Sequence, residues 1–238
     1  MKNLKKLLLC GLLAAMTLGA VACTSKPDAN VEKGEIMKGA DLQAIEDDKE
    51  AKENYLVIDV RSEDEYNAGH VKFAINIPVD ELESRISEIE GWKEKNVVVY
   101  CNSGKKSGEA KTLLEGKGFK NVFDAEGVKQ YEYKLVTWGN LRYDELLAAV
   151  KAGNVVVVDM RTAEDYAAAH FACAINGDVD NLEALKDLLP EDKNTYIITH
   201  CYSGNRSAVA AQYIVELGYT NVDNCMDGAK EVTFDFAN

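Results

Sequence analysis

The chain repeats itself at an interval of 100 residues, and that interval restricts its architecture more than any other feature. Val57-Ile58-Asp59-Val60-Arg61 returns as Val157-Val158-Asp159-Met160-Arg161, and Ala74-Ile75-Asn76 returns as Ala174-Ile175-Asn176. The same interval joins Gly39 to Gly139, Tyr66 to Tyr166, His70 to His170, Cys101 to Cys201, Gly104 to Gly204 and Ser107 to Ser207. It also joins Gly118-Phe119-Lys120-Asn121-Val122 to Gly218-Tyr219-Thr220-Asn221-Val222. Solenoid repeats run at about 20 to 50 residues, so a period this long means duplicated domains. The 238 residues suit two domains of ordinary size. With a boundary near Tyr133 to Thr137, the expected domains are 36–134 and 135–238.

Within each copy, short apolar runs alternate with longer amphipathic stretches. In the first copy these are Tyr55–Val60, a helix near Glu63–Ala68, Ala74–Ile77, a helix from about Glu81, Val97–Tyr100, a helix over Ser107–Lys117, and Val122–Phe123. This is a βαβα order. Strands such as Val97-Val98-Val99, apolar at successive positions, belong to a parallel sheet covered by helices on both faces. Ligands bind such sheets where the C-terminal ends of strands meet the following helices. The expected sites therefore follow Tyr100 and His200.

The first loop reads Cys101-Asn102-Ser103-Gly104-Lys105-Lys106-Ser107, and the second Cys201-Tyr202-Ser203-Gly204-Asn205-Arg206-Ser207. Glycine and small polar residues let such a loop curl until its N–H groups converge, and the next helix directs its positive end inward. A sulfur at the centre is held as thiolate, its nucleophilic form. An isolated cysteine is more often an inert buried hydrophobe. Two cysteines in matching loops favour the reactive reading, with Cys101 and Cys201 as nucleophiles and the remaining loop residues binding substrate.

Lys2, Lys5 and Lys6 precede an apolar run from Leu7 to Ala22, the pattern of a secretory signal too short for a membrane span. Gly19-Ala20-Val21-Ala22-Cys23 resembles the lipobox of bacterial lipoproteins, which implies that residues 1–22 are removed and Cys23 is lipidated. Residues 23–35 then form a polar tether. The expected location is the bacterial cell envelope, with the protein lipid-anchored to the extracytoplasmic side of the membrane. The formal charge is −13, and loss of three lysines with the signal makes it −16. Nucleic acid is excluded as a partner on that charge.

Taken together, the Asp-x-Arg after a central strand, Gly69-His70 before Ala74-Ile75-Asn76-Ile77-Pro78, and the Cys-x-x-Gly-x-basic-Ser loops make the chain resemble a tandem rhodanese-like protein from about Ile36 onward. The resemblance implies a five-stranded parallel sheet with flanking helices in each domain. It also implies sulfur transfer through a persulfide on Cys101 and Cys201, from a small donor such as thiosulfate to a thiol or other thiophilic acceptor, with no cofactor. Asp59, Arg61, Asp159 and Arg161 are expected to brace the fold through ion pairs. The second copy departs at Ala169, Gly177 and Asp178, where the first has Gly69, Ile77 and Pro78. Lys106 is answered by Arg206, so one basic group is a point charge and the other a two-pronged donor.

Two further readings stay open. A phosphatase or arsenate reductase on a related fold uses a Cys, five residues and an Arg, whereas Arg206 comes after only four. A non-catalytic module that senses sulfur or docks redox partners is compatible with the same fold. Of the three histidines, His70 and His170 are expected to hydrogen-bond the backbone, and His200 to face away from Cys201 across the strand. No metal site is expected, since the His and Cys residues lack zinc spacing. Cys173 and Cys225 have no counterpart in the first copy. Lone buried thiols, a mutual disulfide and a Cys201–Cys225 disulfide are all compatible with their positions.

Overall fold

The computed structural model describes residues 36–48, 50 and 53–236. The expected signal segment 1–22, Cys23 and the tether 23–35 lie outside them. The first domain runs α1 (Gly39–Asp47), β1 (Tyr55–Asp59), α2 (Glu63–Asn67), β2 (His70–Val71), β3 (Ile75–Asn76), α3 (Val79–Leu82), a 3-10 helix (Ile86–Trp92), β4 (Asn96–Tyr100), α4 (Lys105–Gly116) and β5 (Asn121–Asp124). A connector carries β6 (Leu135–Val136). The second domain follows with β7 (Gly139–Leu141), α5 (Tyr143–Ala152), β8 (Val156–Asp159), α6 (Ala163–Ala168), β9 (Ala174–Asn176), a 3-10 helix (Leu182–Asp187), β10 (Ile197–His200), α7 (Asn205–Glu216) and β11 (Val222–Cys225).

The second sheet has the expected five parallel strands, in the order β7-β11-β10-β8-β9. The first has four, β3-β1-β4-β5, and its fifth position is reduced to one parallel bridge between Met37 and Ala125. This corrects one pairing in the repeat. Gly39 begins α1, whereas Gly139 lies in β7 opposite Asp223, so the two glycines are not structural equivalents. Tyr143 is the equivalent of Gly39, because Glu126 accepts the Gly39 N–H and Asp227 accepts the Tyr143 N–H at the start of the matching helices.

Alternation along the central strands separates two cores per domain. Val97 and Val99 pack with Ala110 and Leu114 of α4 on one face, while Val98 and Tyr100 pack with Leu42 and Ile45 of α1 on the other. The register carries Cys101 onto the α4 face. Likewise Cys201 joins Ile197 and the α7 side, and Ile198 joins the opposite core. Each fully buried Val or Leu here contributes about 1.5 to 3 kcal/mol by leaving water.

Below each sheet end lies the expected brace. Arg61 Nη2 donates to Asp59 Oδ2 at 2.6 Å and to the Gly69 carbonyl at 2.7 Å, and Nε donates to both carboxylate oxygens at 3.0 Å. Arg161 repeats this on Asp159 and on the Ala169 carbonyl, so loss of Gly69 in the second copy leaves the contact intact. The domains are joined by more than a linker. β6 pairs antiparallel with β2, Trp138 lies edge-on to His70 and Phe73, and Asn140 Nδ2 donates to the Ala74 carbonyl at 3.0 Å.

Candidate active sites

Each loop cysteine leaves the end of a buried strand and stands at the start of a 12-residue helix, α4 or α7. No side chain caps either helix, and its N-cap is a glycine in the left-handed region, with φ of 90° at Gly104 and 69° at Gly204. In the first loop sulfur takes the place of a capping oxygen. Gly104 N donates to Cys101 Sγ at 3.2 Å, and Ser107 Oγ lies 3.4 Å from the same atom. Burial of the sulfur opposes ionisation, but hydrogen bonds from the Ser107 hydroxyl and the amides of Ser107, Ser103 and Gly104 bring the Cys101 thiol below its ordinary range. In the second loop Ser207 Oγ donates to Cys201 Sγ at 3.4 Å.

The structure places the other expected loop residues unequally. Ser107 and Ser207 are buried against sulfur, whereas Ser103, Lys105 and Arg206 are exposed and Lys106, Ser203 and Asn205 are half-buried. Asn205 Nδ2 closes the second loop on itself by donating to Ser203 O and Oγ at 3.1 and 3.2 Å. Asn102 and Tyr202, immediately after the cysteines, tether the loops to a neighbouring helix. Asn102 Nδ2 donates to Glu65 Oε1 at 2.7 Å, and the Tyr202 hydroxyl donates to Asp165. Both acids sit in the first turn of α2 or α6, where Ser62 and Thr162 cap the helix. The Asn102 hydrogen bond, with those from Ser62, holds Glu65 below the usual carboxylate range against the small effect of burial.

Glu65, Asp165 and Lys230 were not visible as site residues in the sequence. The capping spacings Ser62-x-x-Glu65 and Thr162-x-x-Asp165 are the signal that could have found two of them. Lys230 Nζ lies 4.5 Å from the centre of the Tyr202 ring, and the Arg206 guanidinium carbon lies 5.8 Å from it. Two cations thus flank Tyr202, whereas Asn102 presents no ring.

A second difference comes from chain length. One residue, Glu126, separates Ala125 from Gly127, but two, Met226 and Asp227, separate Cys225 from Gly228. The hydrogen bonds Val128 N to Cys101 O and Ala229 N to Cys201 O, both 3.0 Å, confirm that the interval has become 101 here. A Cβ on Gly204 would stand 2.5 Å from the Met226 carbonyl oxygen, while one on Gly104 would meet nothing within 4 Å.

The histidines take the expected places. His70 Nδ1 and His170 Nδ1 pair with the carbonyls of Tyr66 and Tyr166 at 3.0 and 2.8 Å, and both rings stack on those tyrosines. Burial lowers His70 to about 4, so it is neutral near pH 7. His200 faces Phe171 and Phe234, away from Cys201, with Nε2 3.4 Å from Asp159 Oδ2. Burial alone would raise Asp159, but His200 and Arg161 hold it at about 2. Cys173 and Cys225 are free thiols, and burial pushes Cys225 well up. A cleft of about 940 Å³ between the domains is lined by Tyr66, Pro78, Trp92, Asn140 and Arg142, and neither loop cysteine borders it.

Comparison with known proteins agrees with this geometry. Residues 40–130 and 142–233 each match the model of the rhodanese-like domain. Thiosulfate sulfurtransferase PspE of Escherichia coli K12 is 44% identical over 72 residues, covering 30% of this chain and 69% of that protein. The tRNA uridine(34) hydroxylase of Cronobacter sakazakii is 33% identical over 98 residues, covering 40% of this chain and only 27% of the hydroxylase. Among solved structures, a rhodanese with anions from E. coli is 40% identical, with a TM-score of 0.33, over 34% of this chain and 96% of that one. With two matches that together take in most of its length, the chain belongs to the rhodanese-like family as a tandem of two such domains.

Proposed function

We propose that both domains are sulfurtransferases in which Cys101 and Cys201 carry sulfane sulfur as persulfides. The observation that carries this reading is the sulfur cradle of the first loop, where a buried Sγ accepts a backbone N–H at the positive end of a helix and borders a serine hydroxyl. That arrangement stabilises an anion on sulfur, whether the thiolate or the inner end of a persulfide. With thiosulfate as donor, the thiolate attacks the outer sulfur, a Cys–S bond forms, and the donor S–S bond breaks with its electron pair leaving on sulfite. An acceptor nucleophile then takes the outer sulfur and regenerates the thiolate. No general base is needed, which suits a site whose nearest histidines face elsewhere.

The likeness to hydroxylases of tRNA supports no RNA-directed reading, because a charge of −13 opposes approach to a polyanion. The test is mass measurement of the reduced protein after anaerobic incubation with thiosulfate or an organic persulfide. Added sulfur on Cys101 and Cys201 is expected. A protein that gains none from any donor is instead a binding module.

We infer further that the protein is anchored outside the cytoplasm through lipid on Cys23, supported by Lys2, Lys5, Lys6, the apolar run and the small residues before that cysteine. Cys23→Ala is expected to leave the membrane fraction. Retention there after signal cleavage would refute the anchor.

A further inference from the structure

The segment after β11 forms a second wall of the Cys201 loop. Ala229 N donates to the Cys201 carbonyl at 3.0 Å, and Lys230 N to the Tyr202 carbonyl at 3.2 Å. Gly228 comes so close that the Tyr202 carbonyl oxygen occupies the place of a Cβ. These backbone contacts fix where the Lys230 side chain starts, and its ammonium ends 4.5 Å from the centre of the Tyr202 ring. The ring itself is pinned, because its hydroxyl donates to Asp165 and accepts from the Thr162 N–H at 3.2 Å. On the loop side, the Arg206 guanidinium carbon lies 5.8 Å from the same ring centre.

Among the described residues neither cation forms a salt bridge, although acids outnumber bases 40 to 27 in the chain. Asp165 is within electrostatic reach of Lys230, yet its hydrogen bond goes to the Tyr202 hydroxyl. Both cations are exposed, and Tyr202 is half-buried. Two like charges held to one ring repel, and an anion bound to both relieves that repulsion. The ring adds a flat apolar surface beside them. A solute that meets all three groups has an acidic end and an organic stem. The first site keeps the lysine without the ring: Lys129 N donates to the Asn102 carbonyl at 3.0 Å, so Lys129 is the counterpart of Lys230, and Asn102 stands in the place of Tyr202.

We propose that Lys230 and Arg206 clamp the acidic group of an organic persulfide donor whose stem lies on Tyr202, which makes Lys230 a specificity-determining residue of the second site although it stands outside the Cys201 loop. The proposal rests on the reading of Cys201 as a sulfur carrier. The Cys201 thiolate attacks the outer sulfur of the persulfide and a Cys–S bond forms. The donor S–S bond breaks, and its electron pair leaves on the donor thiolate. The clamp holds the donor by its far end while this exchange takes place.

The test is the rate at which Cys201 gains sulfur in the full chain carrying Cys101→Ser, reduced and kept anaerobic, from the persulfides of N-acetylcysteine and of its amide. These two donors differ in the charge of one group, and added sulfur is counted by mass. The site should load faster from the acid. Lys230→Met should cut that preference about 2- to 5-fold, the scale of one charge at contact distance in water. Lys230→Arg should keep most of it, since the charge remains. Lys129→Met should change the preference of Cys101 less, in a chain carrying Cys201→Ser, because no ring holds that lysine in place. Loading without preference, a preference unmoved by Lys230→Met, or one lowered as far by Lys230→Arg overturns the clamp. An equal loss from Lys129→Met overturns the part given to Tyr202. If Cys201 takes sulfur from neither persulfide, the sulfurtransferase reading itself falls and the clamp with it, a result distinct from loading without preference.

Discussion

The two loops share their cysteine, glycine and serine, yet they are supported differently. The first loop is open behind Gly104, accepts the Gly104 N–H on sulfur, and is tethered through Asn102 to Glu65. The second is backed by the Met226 carbonyl, tethered through Tyr202 to Asp165, and flanked by Arg206 and Lys230, and its Gly204 carbonyl accepts from the Asn224 carboxamide. Duplication thus keeps the serine hydroxyl against sulfur and varies the rest of the support. Charge and rigidity at a nucleophile can be retuned there without removing it.

The sharpest way to break the comparison is to remove one sulfur at a time. Cys101→Ser and Cys201→Ser should each abolish sulfur loading at the altered site, and the remaining domain should reveal its own donor preference. Thiosulfate should load Cys101 better and an organic persulfide Cys201 better, because the first loop offers Lys105 and Lys106 while Tyr202 offers an aromatic wall. Mass measurement of loaded sulfur decides it. Equal loading from every donor would leave sulfur transfer standing and abolish the division of labour.

Next in size is the shared brace. Arg61→Met and Arg161→Met each leave a buried carboxylate without its cation, which should cost about 3 to 5 kcal/mol in urea unfolding. A clear difference between the two would trace to the remaining neighbour of the carboxylate: the Tyr100 hydroxyl at 2.8 Å from Asp59, or His200 at 3.4 Å from Asp159.

The glycines separate the loops directly. Gly104→Ala should cost about 1 kcal/mol, from its left-handed backbone alone. Gly204→Ala should cost more and impair Cys201 loading, since its new methyl meets the Met226 carbonyl. Equal costs by urea unfolding would show that Met226 yields.

A smaller effect is expected from Ser107→Ala. Removing a donor to the thiolate raises the Cys101 pKa, so below that pKa the thiolate fraction should fall, by about 3- to 10-fold. The pH profile of alkylation should move to higher pH. The smallest effect is expected from the tethers. Asn102→Ala removes one hydrogen bond beside the site, worth about 1 kcal/mol, and Tyr202→Phe removes those of its hydroxyl with Asp165 and Thr162; each should raise donor KM a few-fold with kcat little changed.

The cysteines, the Asp-x-Arg braces and the strand-helix order were legible because each is a local pattern printed twice at one interval. Gly39 and Gly139 show how far that guide reaches: they share the interval, yet one starts a helix and the other lies in a strand. The interval fails in that region because the segment entering each domain is built differently, with a single bridge at Met37 in one copy and all of β7 in the other.

What the sequence by itself determined is the duplication, the alternation that buries β4 and β10, and the place of each loop cysteine just beyond them. Those depend on residue spacing along a strand or helix, where geometry is periodic and side-chain direction follows from position. Only the tertiary structure decided that Glu65 reaches Asn102, that Asn224 donates to the Gly204 carbonyl, and that Met226 backs Gly204. These contacts join residues from 20 to 37 positions apart, and they exist because sheet register and helix packing bring separate segments together. No local propensity encodes which side chain meets which across such a distance, so the parts that distinguish the two sites were the parts the sequence left open.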